Sequence, residues 1–107
     1  MHRDILAQLL SDIGRVRMAV IGDFCLDAYW LLDASLAEMS IETGLETRAV
    51  RSQRYSLGGA GNVVSNLVAL GVKAVSVFGV VGDDPFGREM LRILSAASVD
   101  TRGMRFQ

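Results

Sequence analysis

"YSLGGAGNVVSNLVALG", residues 55–71, runs Gly58, Gly59, Ala60 and Gly61 straight into an apolar helical repeat. Val63, Val64, Leu67, Val68 and Leu70 recur at helical spacing, and Gly71 stands where such a helix stops. The small residues therefore open a helix. Without Cβ atoms, glycines let the backbone come close to a partner or turn sharply. Four uses fit that pattern: a phosphate cradle, a dinucleotide site, a floor for a sugar, or a plain turn with Asn62 as the helix cap.

Working outward, "AVSVFGVVG" at 74–82 reads as a buried strand, and "GDDPFG" at 82–87 as a helix start. Asp84 is placed to cap and Pro85 takes the first helical position. Met90, Leu91, Ile93 and Leu94 carry the helix onward. Upstream, Met18–Ile21 in "RMAVIGDFCLD" form a short continuous apolar run, the pattern of a strand buried on both faces. Asp23 and Asp27 follow it, where open parallel sheets bind ligands. Before that strand, Ile5, Leu6, Leu9, Leu10 and Ile13 predict an amphipathic helix docked on the sheet and stopped at Gly14.

Between Tyr29 and Leu57 the pattern changes. "TRAVRSQRYSL" alternates loosely among Arg48, Arg51 and Arg54, as a strand with a solvent face does; "ASLAEMSIETGLE" reads mostly as loop. The order helix, strand, exposed insert, helix, strand, helix predicts an α/β fold with a parallel sheet. The expected divisions are 1–28 (start of the core), 29–57 (inserted β lid) and 58–107 (continuation of the core). Two core strands precede "VDTRGMRFQ", which begins a third, where sheets usually have about five or six. On that count the 107 residues read as the front of a longer fold.

Composition narrows the function classes. Half the residues are hydrophobic and the net charge is −1, which suits a packed core and lacks the basic excess of a nucleic-acid binder. A single cysteine, Cys25, rules out an internal disulfide framework, and the single His2 leaves no zinc-ligand cluster. "MHRDILAQLLSDIGRV" carries charge in its apolar stretch and no small-residue cleavage site, so it does not read as a signal peptide. No apolar run approaches the roughly 18 residues of a membrane span. A soluble, cytoplasmic protein with no membrane or nucleic-acid partner is the expectation.

The glycines can now be sorted. A Walker A loop needs Gly-Lys followed by Ser or Thr, and no Gly-Lys pair occurs here. A dinucleotide fingerprint needs a third glycine where this chain has Val64, and it follows a first core strand rather than an exposed insert. What survives beside the plain turn is bare backbone at a helix N-terminus, with N–H groups that favour oxygen-rich partners. Asn62 adds an amide that both donates and accepts, and Asp27 a carboxylate able to accept from two neighbouring hydroxyls. Those groups together describe a polyol site.

With "VIGDFCLD", "GGAGN", "LG" and "GVVGDDPFG" in view, the chain resembles the N-terminal third of ribokinase-like (PfkB) carbohydrate kinases over most of residues 16–103. The resemblance implies a ribokinase-like, Rossmann-like parallel-sheet core with an inserted β lid. By position it implicates Asp27, Gly58, Gly59 and Asn62 in holding the sugar, with Asp23 and Glu42 as secondary candidates. It further implies ATP and Mg²⁺ for the full-length enzyme, a sugar or sugar-phosphate substrate, and a homodimer through the lid. Within the family, "GDFCLDAYW" and Ser40-Ile41-Glu42 look most like the heptose 7-phosphate kinase branch. Two departures stand out: Val64 replaces the usual small residue, and the ten residues between Gly71 and Gly82 are one more than the family spacing, which predicts a bulge or shifted register in the second strand. The family's catalytic base and nucleotide contacts lie around a Gly-Ala-Gly-Asp-type motif that does not occur here, so the chain alone is expected to be inactive. The alternatives are a non-catalytic sugar-binding or regulatory module and an inert fragment.

Overall fold

The computed structural model describes residues 2–107. The chain forms α1 (Arg3–Ile13), β1 (Arg17–Ile21), β2 (Phe24–Leu32), β3 (Val50–Gly59), α2 (Ala60–Leu70), β4 (Ala74–Val81), α3 (Pro85–Ala96) and β5 (Asp100–Phe106). It divides into two units: the chain up to Leu26 together with Leu57–Gln107, and Asp27–Ser56.

The first unit holds a three-stranded parallel sheet in the order β1-β4-β5, with α2 packed on β1 and β4 and α3 on β5. This bears out the α/β reading. Burial along β4 alternates: Val75, Val77 and Val81 are buried against the helices, with Val64, Met90, Leu94 and Met104 in the same core. Residues on the other face stay open, Phe78 at 43% and Val80 at 55% exposure. The expectation of strands buried on both faces is thus corrected. Ile21, in register with Phe78, is 79% exposed, because both packed helices cover the same side of the sheet. Nor is α1 docked as its stripe predicted. It buries none of its residues, and Ile5, Leu6, Leu9 and Leu10 are all about half exposed.

The extra residue between Gly71 and Gly82 puts no bulge into β4, which pairs with β1 in unbroken register; the irregularity lies between β4 and β5. Ser76 pairs with Asp100 and Phe78 with Gly103, so two steps along β4 match three along β5, and the extra residue sits in β5. Gly103 is needed there: a Cβ would lie 2.5 Å from the Val77 carbonyl oxygen and would also strike the Phe78 ring. Across the bulge the Asp100 carboxylate accepts from the Arg102 backbone N–H at 3.0 Å and from its guanidinium at 2.6–3.1 Å.

Helix ends follow their sequence signals. Asp84 caps α3 by accepting from the Gly87 N–H at 2.7 Å, with Pro85 in the first turn. Gly71 ends α2 in the left-handed conformation (φ 85°), its N–H donating to the Val68 carbonyl and that of Val72 to Leu67. α3 ends in the same motif without a glycine. Ser98 takes φ 62° while its N–H donates to Ser95 and that of Val99 to Leu94.

The second unit carries most of the two-stranded β2–β3 sheet, joined through a short 3-10 turn at Ala34–Leu36. The segment read as loop has some order: Met39 and Glu46 form an antiparallel bridge around a turn in which Gly44 (φ 70°) donates to the Ser40 carbonyl. The Arg54 guanidinium lies 5.0 Å from the Tyr29 ring centroid, tying β3 to β2.

Two outcomes are expected from this geometry. The left-handed penalty at Ser98, about 1–2 kcal/mol, exceeds the entropic cost of a glycine, about 0.5–1 kcal/mol. Ser98→Gly should therefore raise stability by about 0.5–1 kcal/mol in urea unfolding, and an unchanged midpoint would contradict the assignment. The Arg102 side-chain and backbone hydrogen bonds hold the Asp100 carboxyl down to about 2. Because an unfolded aspartate titrates near 3.9, the contribution is fully present above that pH and is lost as pH falls through about 2. Arg102→Ala should return the Asp100 midpoint toward the ordinary value, read by carboxyl NMR.

Candidate functional site

In the first unit, the site is built where β1 ends and α2 begins. Gly22 and Asp23 form the turn between β1 and β2, and the Gly22 N–H donates to the Phe78 carbonyl at 3.3 Å. At the other side β3 ends in Gly58, which is buried, and Gly59, which serves as the α2 N-cap. The two strand ends are fastened together: the Ala60 N–H donates to the Asp23 carbonyl at 2.8 Å.

Gly59 makes this junction feasible. It adopts φ 56°, ψ −131°, a region that side chains avoid, and a Cβ there would sit 2.5 Å from the Asp23 carbonyl oxygen and 3.3 Å from Cys25 Sγ. Gly61 is buried, and a Cβ on it would press on Leu57 at 2.8 Å. The glycine run therefore does two jobs, close packing at Gly61 and a forbidden turn at Gly59. Gly22 completes the contact, since its own Cβ would meet that of Ala60 at 3.2 Å. The sequence reading took Gly22 only as a strand end; its signal was the immediate Gly-Asp step after an apolar strand.

Asn62 is not the helix cap that the plain-turn reading required. It is the third residue of α2, with an exposed side chain that makes no hydrogen bond among the described residues. One of the unsatisfied N–H groups of the first turn is taken by Asp23; those of Gly61 and Asn62 are left to other partners. Backbone donors, an amide and a Cβ-free surface thus gather at one helix start.

Asp27 belongs to the second unit. It lies within β2, six residues past the end of β1, and so is not at the end of the first strand as the sequence suggested. Only two residues, Gly22 and Asp23, separate β1 from β2, so the "FCLD" run belongs to the second strand. Its carboxylate is exposed. Glu42, in the same unit, occupies the turn between Met39 and Glu46 and is also exposed. The structure thus joins Asp23, Gly58, Gly59 and Asn62 in one unit and Asp27 and Glu42 in the other. A shallow pocket of about 470 Å³ lies elsewhere, lined by Ser76, Phe78, Asp100, Arg102, Gly103 and Arg105, and contains none of these residues.

Residues 17–107 match the pfkB family of carbohydrate kinases. The chain belongs to that family. Over 104 residues, 97% of its length, it is 38% identical to the bifunctional protein HldE of Geobacter sulfurreducens, covering 21% of that protein. The bifunctional protein HldE of Campylobacter curvus is 44% identical over 82 residues, which are 76% of this chain and 17% of that one. Among solved structures, a sugar kinase from Pyrococcus horikoshii in complex with ATP matches with a TM-score of 0.55 and 30% identity, over 86% of this chain and 26% of that one. A ribokinase-type structure from Agrobacterium tumefaciens gives 0.58 and 26%, over 87% and 28%. The chain spans about a fifth of the length of the curated relatives it matches. The ribokinase-like parallel core expected from the sequence is therefore present.

The junction generates its own test. Gly59→Ala incurs both the dihedral strain and the collision with the Asp23 carbonyl, whereas Gly71→Ala incurs strain alone, with nothing within 4 Å of its Cβ. Strain of this kind costs about 1–3 kcal/mol. Gly59→Ala should lower the urea midpoint clearly more than Gly71→Ala, and equal losses would remove the steric part of the argument.

Proposed function

We propose that this chain forms the sugar-binding side of an ATP-dependent kinase that phosphorylates a hydroxyl of a sugar or sugar phosphate. The observation that carries the reading is the start of α2. Gly59 presents bare backbone in a conformation closed to other residues, while the Asn62 amide and the N–H groups of Gly61 and Asn62 stay available. In this reading Gly58, Gly59 and Asn62 fix hydroxyls of the acceptor, and Asp27 accepts from two neighbouring hydroxyls and orients the one that reacts. Asp23 and Glu42 are secondary contacts. Residues 29–57 act as a lid that excludes water, which would otherwise compete as phosphoryl acceptor. The domain division 1–28, 29–57 and 58–107 belongs to the same proposal, as do cytoplasmic location and dimerisation through the lid.

ATP supplies the phosphoryl group, and the ATP complex of the Pyrococcus horikoshii sugar kinase supports its use here. Mg²⁺ stands differently. Among the described residues no three His, Cys, Asp or Glu side chains are grouped as a ready-made metal cage; Mg²⁺ is ordinarily held by one or two carboxylates together with substrate phosphates, and no step is assigned to it here. Phosphoryl transfer rests on alignment and on stabilising charge at the phosphate. Asp27 and Asn62 serve alignment of the acceptor; no Gly-Lys or Gly-Ala-Gly-Asp sequence is present to serve the phosphate. The resemblance of "GDFCLDAYW" and Ser40-Ile41-Glu42 to the heptose 7-phosphate kinase branch supports including a phosphorylated heptose among the acceptors tested.

The test uses the full-length gene product, with ATP consumption measured over a panel of sugars and sugar phosphates. A charged hydrogen bond made in the transition state is worth roughly 1.5–3 kcal/mol, so Asp27→Ala should reduce kcat/KM about 10- to 100-fold or more. Unchanged kinetics would remove Asp27 from the site. In the same assay the 107-residue chain alone should consume no ATP above background, and turnover by it would place phosphate-side chemistry within these residues. Sugar binding by the full-length protein without any ATP consumption would favour the non-catalytic module.

A further inference from the structure

We draw no further inference here: the strongest candidate, the open apolar face of the β1-β4-β5 sheet with Ile21, Phe78 and Val80 and the shallow pocket beside Arg102, carries none because nothing in the structure shows what covers it.

Discussion

The hydrogen bond from the Ala60 N–H to the Asp23 carbonyl holds together two points that are 37 residues apart in sequence. The chain leaves the core unit after Leu26 and returns at Leu57, and this bond fastens departure to return. Closing so long a loop costs entropy that grows only slowly with its length, so a 30-residue insert can be carried once the two ends are fixed. Fixing them demands an approach that leaves no room for a Cβ at Gly59 and little at Gly22. Packing thus dictates the glycines first. The bare helix start that can serve a ligand is a consequence of the same constraint.

This explains why the glycine run imitates a phosphate loop in sequence. Both arrangements need backbone at close quarters and a helix beginning immediately afterward. They differ in what surrounds the N–H groups. A phosphate loop brings lysine and a hydroxyl; here the adjoining side chains are Asn62 and Val63, and the Asp23 carbonyl accepts from the Ala60 N–H. Neutral donors and acceptors suit hydroxyls, whereas a carbonyl at the helix start offers nothing to an anion.

The elements of the core were legible because their signals are local. Asp84 and Pro85 begin α3, Gly71 ends α2, and the apolar runs locate β1 and β4. What failed depended on contacts that no local pattern records. Continuous apolar runs imply burial on both faces, yet the two packed helices lie on one side, leaving Phe78 and Val80 open. The extra residue between Gly71 and Gly82 pointed to β4, whose register with β1 is regular; the bulge lies in β5 and shows only in the pairing of Ser76 with Asp100 and Phe78 with Gly103. Ser98 gave no warning, since a left-handed serine looks like any other serine. For the candidate site, the Gly58–Asn62 cluster was readable from composition and spacing, while the Asp23 carbonyl was not, because a backbone acceptor has no sequence signature. Asp27 was expected at the end of β1 but lies within β2, since two residues suffice to end β1 and begin β2.

The chemistry of the chain is lopsided in a way that follows from its residues. Acceptor recognition needs groups that sort hydroxyls by position, which neutral amides, backbone N–H groups and one carboxylate do well. Phosphoryl transfer also needs positive charge at the phosphate and a base for the attacking hydroxyl. Several arginines are already engaged: Arg88 pairs with Asp83, Arg92 with Glu89, Arg102 with Asp100, and Arg54 lies over Tyr29. Arg105 donates to the backbone carbonyls of Arg102 and Met104. A charge already satisfied by a carboxylate gains less from a phosphate, because the new contact must first displace the old. Under the proposed function this chain's residues would choose and orient the acceptor, and charge at the phosphate would be met by other groups.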